Sequence, residues 1–191
     1  DLLGLDFNID DRPSGIYFRP KVIYNKKNNN YVLWVNYLAQ PSKNCIKCRI
    51  FGYSPLMAYP NATYVVAVSE TPLGPFKNPR ALPSGDGGIQ KSGADFDILV
   101  YGDEAFIAYG AWGNSVFGDH QIRIERLNAD HTDSTGIATQ PLTPPSNEAP
   151  ILLGHIKDGS ILYLGILVAS AKEVAVLIYI MHVIRWVLGM I

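Results

Sequence analysis

A repeated pattern of apolar segment, polar turn and aromatic segment is the sequence feature that most constrains the fold. It occurs around residues 22–37, 98–109 and 151–164. In each case a run rich in β-branched or aromatic residues precedes Gly, Asn or Asp, and a second such run follows. Short strands joined by tight turns in this way indicate β-hairpins. No convincing amphipathic helix occurs before residue 165, so the pattern predicts an all-β chain.

The clearest hairpin lies within residues 92–113, SGADFDILVYGDEAFIAYGAWG. Residues 98–100 and 105–109 are its predicted strands, and Gly102-Asp103-Glu104 is its turn. The remaining predicted strands are 16–24, 31–37, 61–69, 120–127, 147–153 and 161–164. Residues 25–30 (NKKNNN) form a predicted hairpin turn, because Asn tolerates left-handed backbone angles. Residues 79–91 and 128–146 are predicted loops, rich in Gly, Pro and polar residues.

Two carboxylates stand at the entrance of the first strand of that hairpin. Asp95 and Asp97 are separated by Phe96. Because strand side chains alternate between faces, we expect both carboxylates on one face and Phe96 on the other. Such a pair is typical of sites for sugars or metals, and the alternative is an ordinary solvated loop.

Length and composition set the class of protein. The chain has 191 residues, of which 48% are hydrophobic, enough for one globular domain with a sizeable core. The formal net charge is -1, so charge implies neither a nucleic-acid partner nor an acidic lipid surface. We expect no cofactor, and no metal-ligand set is legible in the sequence.

The two cysteines, Cys45 and Cys48, do not by themselves define a site. A tetrahedral zinc site needs about four ligands, and a strand-rich chain does not offer the thioredoxin-like setting of a redox motif. A local disulfide or two free thiols are the readings that remain. Asn61-Ala62-Thr63 matches the N-glycosylation sequon, which matters only if the chain is secreted.

Regularly spaced units of about four strands favour a β-propeller, with a β-sandwich as the alternative. In a propeller, acids at the entrances of the innermost strands of different blades converge on the central axis. Asp95 occupies such a position, and so does Glu148 before the predicted strand at 147–153.

Five segments resemble glycoside hydrolase family 43. Their closest likeness is to the branch that includes galactan-cleaving β-galactosidases, and they follow the family's order over roughly residues 14–164. They are RPKVIYN at 19–25, YVLW at 31–34, AVSETPLGPF at 67–76, DFD at 95–97 with its hairpin, and EAP at 148–150.

The resemblance implies a five-bladed propeller, present here as about half of its blades, whose axial pocket binds a terminal sugar. It implies hydrolysis of O-glycosidic bonds in β-galactoside-containing or related polysaccharides, with inversion. In that mechanism an acid protonates the leaving oxygen and a base activates water, with the carboxyls about 6.5–9.5 Å apart. By resemblance, Glu148 matches the general acid and Asp95 the pKa-tuning acid, because a neighbouring carboxylate favours a protonated partner.

The expected substrate-binding residues are Asp97, Arg19, Tyr17 and Trp112. Aromatic faces suit the apolar side of a pyranose ring. The expected partner is therefore an oligosaccharide or polysaccharide. The resemblance also implies a secreted or extracellular protein, although this chain contains no signal region.

Some residues depart from the family pattern. The general base normally lies on the first blade, and neither Asp1 nor Asp6 stands in a matching motif. Phe18 stands where the galactanase-like branch often has an acid, and Ala94 is an extra residue before Asp95. The alternatives to a hydrolase are a non-catalytic carbohydrate-binding propeller and an inactive fragment without the base.

Residues 1–165 form the expected partial propeller, and residues 166–191 form an apolar tail without family resemblance. The apolar stretch from Val174 is just under the length of about 20 residues that a membrane span needs. Arg185 near its middle would cost a few kcal/mol in a bilayer. The tail is therefore expected to be a membrane anchor, a buried helix or a gene-model artefact, and a membrane partner is expected only through it.

Overall fold

A computed structural model describes residues 15–39, 62–82, 95–111, 121–142, 148–154, 161–166 and 181–183. It describes the side chains of residues 17–37, 63–82, 95–110, 121–142 and 150–152. All regular secondary structure in these ranges is β. The strands are β1 Gly15–Asn25, β2 Asn30–Ala39, β3 Ala62–Ser69, β4 Lys77–Ala81, β5 Phe96–Tyr101, β6 Glu104–Ala111, β7 Gln121–Leu127, β8 Ser134–Ala138, β9 Glu148–Gly154, β10 Ile161–Ile166 and β11 Met181–Val183.

The described strands form three antiparallel sheets that follow one another along the chain. Their orders are β1-β2-β3-β4, β5-β6-β7-β8 and β11-β10-β9. The first strand of each sheet packs beside the first strand of the next, so that β1 contacts β5 and β5 contacts β9. This is the arrangement of successive propeller blades with their innermost strands around an axis. The predicted all-β partial propeller is confirmed, and the sandwich is not adopted.

Blades 1 and 2, the sheets that begin with β1 and β5, pack face to face through a large apolar cluster. Aromatic rings interlock at its centre: Trp34 and Tyr64 lie 6.0 Å apart, and Tyr64 and Phe96 lie 4.9 Å apart, both edge to face. Such pairs stabilise by about 0.5–1.5 kcal/mol beyond their area burial. The buried members of the cluster are Ile23, Val32, Trp34, Tyr64, Val66, Leu82, Phe96, Ile98, Ala105, Ile107, Tyr109 and Leu127.

The other face of blade 2 packs against β9 of blade 3. Its alternate residues, Phe106, Ala108, Ile122 and Ile124, bury Leu152. Because β6 is covered on both faces, its sequence from Ala105 to Ala111 is a continuous run of apolar or small residues. β7 instead alternates buried apolar residues with polar ones.

The loop at residues 128–133, between β7 and β8, docks on blade 1. The side-chain amide of Asn25 donates to the carbonyl oxygen of Ala129 at 2.9 Å. The indole N–H of Trp34 donates to the carbonyl oxygen of His131 at 2.8 Å. Both donors lie on blade 1, so the loop fixes blade 2 at the end of the strands away from Asp95.

We predict that Asn25→Ala destabilises the protein by about 1–3 kcal/mol, because it removes a buried side chain whose two hydrogen bonds join the Ala129 carbonyl oxygen and the Asn28 N–H. Asn25 is fully buried, and its Oδ1 also accepts from the amide N–H of Asn28 at 2.9 Å. Urea unfolding measures the loss. The matched control is Asn28→Ala, whose exposed amide bonds Asp130 at 3.0 Å and whose removal is expected to cost less than about 0.5 kcal/mol. Equal losses in the two variants would contradict the prediction.

A buried polar pair lies inside blade 2. The Tyr109 hydroxyl donates to Glu125 Oε2 at 2.9 Å, and the two side chains are 0% and 1% exposed. Burial raises the pKa of Tyr109 well above its ordinary value, and the adjacent Glu125 carboxylate raises it further. The folded state therefore holds the phenolic proton more tightly than the unfolded state.

We expect the free energy of unfolding to be insensitive to Tyr109 below the ordinary tyrosine pKa of about 10 and to fall as pH rises above it. In Tyr109→Phe this alkaline loss is smaller, because the titrating group is gone. Denaturant unfolding between neutral pH and pH 11 measures it. Tyr101→Phe, at a partly exposed tyrosine of β5, is the control and keeps the full alkaline loss. The prediction would be contradicted if the free energy of unfolding of Tyr109→Phe fell with pH as steeply as that of the wild type.

Every predicted inner and middle strand is found, but the outer strands are not in the prediction. β4 lies partly in the predicted loop at 79–91, and β8 lies within the predicted loop at 128–146. These loop assignments were wrong at β4 and β8. Both strands are mostly exposed and pair along one edge only, so they need no apolar alternation.

The described part of the tail is a strand. Met181–Val183 pairs antiparallel with residues 161–163 of β10, and Ile166, the first residue of the tail, ends β10. The rest of the tail lies outside the described residues, as do Cys45, Cys48 and Asn61. In the part of the chain that the structure describes, no helix has the length and apolar character needed to cross a bilayer.

Candidate functional site

A β-bulge in β1 shapes the entrance of blade 1. Phe18 pairs with Asn36 and Lys21 pairs with Trp34, so Arg19 and Pro20 together oppose one residue of β2. Pro20 has no N–H to give to the ladder, and Arg19 adopts a left-handed backbone with φ of 52°, which is uncommon for a residue other than Gly. Bulges of this kind re-aim side chains beside functional sites.

Two ion pairs connect the middle of β1 with the start of β5. Arg19 Nη2 lies 2.7 Å from Asp95 Oδ2, and Lys21 Nζ lies 2.5 Å from Asp97 Oδ1. Residues two apart on β5 thus meet residues two apart on β1, so the two innermost strands run in the same direction. Both carboxylates face the cations of β1, as the strand alternation predicts.

The two acids differ in their access to solvent. The Asp95 side chain is 19% exposed, and its partner Arg19 is 50% exposed. The Asp97 side chain is only 8% exposed. Asp95 and Arg19 are therefore placed to meet a ligand, whereas Asp97 is enclosed by protein.

Both oxygens of Asp97 are engaged by protein groups. Oδ1 accepts from the backbone N–H of Ile98 at 2.9 Å in addition to its contact with Lys21. Oδ2 accepts from the backbone N–H of Leu152 on β9, also at 2.9 Å. One carboxylate thus joins the innermost strands of three blades. This geometry fits a structural role better than the predicted contact with substrate.

Glu148 is the first residue of β9, and its backbone pairs with Ile166 of β10 beside a bulge at Ala149 of β9. Asp95 directly precedes β5. Because β5 packs on β9, the two predicted catalytic residues begin neighbouring innermost strands. The side chain of Glu148 lies outside the described residues, and so does the whole of Trp112.

Tyr17 packs within blade 1. Its ring stacks on Tyr37, with centroids 5.1 Å apart, in a cluster with Val35 and Val65. These residues alternate with those that face blade 2, so Tyr17 packs on the opposite face of blade 1. Of the predicted site residues, the structure thus joins Arg19 to Asp95 and packs Tyr17 on Tyr37.

Lys21 was not among the predicted site residues. The signal was present in the sequence, because Arg19 and Lys21 repeat the two-residue spacing of Asp95 and Asp97. Only the packing of β1 beside β5 showed that the two spacings match.

We predict that Arg19→Gln changes the free energy of unfolding by less than about 1 kcal/mol, because the pair with Asp95 is half exposed. The difference from the wild type is expected to shrink in 1 M salt, where charges are screened. The matched control is Arg80→Gln, which removes another half-exposed ion pair, between Arg80 and Asp133 at 3.0 Å. A loss of several kcal/mol in Arg19→Gln alone would mean that Arg19 is a structural residue.

Solved structures of family 43 enzymes are similar to this chain. An exo-β-1,3-galactanase from Phanerochaete chrysosporium with β-1,3-galactotriose gives a TM-score of 0.53 at 24% identity, over 82% of this chain and 30% of that chain. An exo-β-1,3-galactanase from Clostridium thermocellum gives 0.54 at 20%, over 80% and 30%. A family 43 β-1,3-galactosidase with galactodeoxynojirimycin gives 0.55 at 22%, over 81% and 51%. The fold is that of the family 43 glycoside hydrolases.

The predicted resemblance to family 43 is thus confirmed at the level of the fold. The chain spans between 30% and 51% of the length of these three proteins. No protein-family model matches the sequence. No curated protein matches it either.

Proposed function

We propose that the chain carries part of the axial site of a glycoside hydrolase acting on β-galactoside-containing polysaccharides. The observation that carries the proposal is the placement of Asp95 and Glu148 at the entrances of neighbouring innermost strands. On a shared fold, exo-β-1,3-galactanases bind β-1,3-galactotriose and galactose. A terminal galactose is therefore the first sugar to test.

In the proposed reaction Glu148 is the general acid and protonates the leaving glycosidic oxygen. A base activates water on the opposite face of the sugar, and the anomeric carbon is inverted. Asp95 is the pKa-tuning acid: its negative charge favours the protonated form of Glu148 until the proton is transferred. None of the described acids matches the family's general base, and the base has no assignment.

Arg19 is proposed to orient the substrate. Its guanidinium is half exposed next to Asp95, and a fork of N–H donors beside a carboxylate offers donors and acceptors to neighbouring sugar hydroxyls. Trp112 stays a prediction as part of the sugar-binding wall. Tyr17 is a weaker candidate, because it packs on the other face of blade 1.

The second candidate function is carbohydrate binding without hydrolysis. The Arg19–Asp95 ion pair favours it, because the positive charge of Arg19 offsets the charge with which Asp95 would act on Glu148. A secreted location is proposed with either function, by resemblance alone.

We predict that Glu148→Gln lowers kcat on β-1,3-galactotriose by at least about 100-fold, because the amide cannot donate the proton that general acid catalysis needs. Binding of galactotriose by calorimetry is expected to persist, because the side chain keeps its size. Galactose release measures the rate.

Glu104→Gln is the matched control. Glu104 pairs with Arg126 at the turn of the β5–β6 hairpin, far along the strands from Asp95, and its loss is expected to leave hydrolysis unchanged. Substantial activity in Glu148→Gln would refute the assigned acid. Galactotriose binding without hydrolysis by the wild type would instead establish the second candidate function.

A further inference from the structure

We infer that Asp97 is a positioning residue that fixes where Glu148 lies, along the strand direction, relative to Asp95. This inference rests on the proposed function. The Asp97 carboxylate contacts the innermost strands of all three blades. Asp97 is 6% exposed, so it acts through backbone and Lys21 and does not reach the sugar.

The bond to Leu152 lies where β9 needs an anchor. In the order β11-β10-β9, the described sheet leaves β9 as an edge strand, bonded to β10 on one side only. The Leu152 N–H points away from that ladder and is taken by Asp97 Oδ2 at 2.9 Å. A buried N–H without this acceptor would cost free energy, so the bond favours one position of β9 along β5.

The anchor, which is the hydrogen bond between Asp97 and Leu152, lies further along the two strands than either predicted catalytic residue. Asp95 is two residues before Asp97 on one strand, and Glu148 is four residues before Leu152 on the other. At about 3.3 Å per residue the separation on β5 is about 7 Å. The separation on β9 spans more residues and includes the bulge at Ala149. A change at the anchor therefore shifts one acid against the other, and small displacements of a catalytic group lower the rate strongly.

The charge of Asp97 is part of the anchor. Lys21 at 2.5 Å supplies the opposite charge that a buried carboxylate requires. An amide at position 97 would present one acceptor oxygen to three donors, those of Lys21, Ile98 and Leu152. Asp97→Asn is thus the same size but cannot satisfy all of them.

The experiment compares Asp97→Asn with Glu125→Gln in the full chain. Glu125 is an equally buried carboxylate of blade 2, bonded by Tyr109 and set on the blade 1 side of the sheet. Amide exchange at Leu152 is followed by NMR, and galactotriose hydrolysis is normalised to the folded fraction. For Asp97→Asn we expect Leu152 to exchange at least 10-fold faster and kcat to fall at least 10-fold, with KM little changed. For Glu125→Gln we expect neither effect.

Unchanged exchange at Leu152 in Asp97→Asn would overturn the anchor. Faster exchange with an unchanged kcat would overturn its role in positioning Glu148. If the wild type hydrolyses no galactotriose, the proposed function fails and the catalytic part of the inference fails with it. Exchange at Leu152 would still decide whether Asp97 joins β5 to β9, so the two failures are distinguishable.

Discussion

The structure depends on the packing of one blade face against the next. A sheet of three or four short strands has too little core to be stable alone, so it must cover an apolar face with a neighbour. Trp34 and Tyr64 of blade 1 meet Phe96 of blade 2 with their ring edges and faces engaged. On the other side of blade 2, Phe106 and Ile124 enclose Leu152 of blade 3. Because these contacts are buried and apolar, they fix the distance and angle between blades.

The axial groups come together only as a result of that packing. Face-to-face blades bring β1, β5 and β9 side by side without direct pairing between these strands. Edge N–H groups and charged side chains then meet in the narrow space around the axis. Asp97 lies deep in it and bonds strand to strand, whereas Asp95 and Arg19 lie nearer the surface. A structural carboxylate, Asp97, and a more accessible one, Asp95, thus lie only two residues apart at the start of this hairpin.

The hairpin pattern was sufficient to predict β5 and β6 because strands that are largely buried require runs of apolar residues. The 98–100 and 105–109 segments are clear examples, and they lie within β5 and β6 as predicted. β4 and β8 were missed for the opposite reason. They are exposed outer strands with no such requirement, and their existence follows from hydrogen bonding to β3 and β7. The strand Met181–Val183 likewise exists through its pairing with β10.

The sequence by itself determined the all-β class, the hairpins and the acids at the strand entrances, because strand alternation and turn chemistry are local properties. It also carried the resemblance to family 43 on which the roles proposed for Glu148 and Asp95 rest. Only the tertiary structure decided which acid is accessible and which is buried. That difference arises from the meeting of Asp95 with Arg19 and of Asp97 with Lys21 and Leu152. The partners come from other blades, and sequence neighbours carry no information about contacts that blade packing creates.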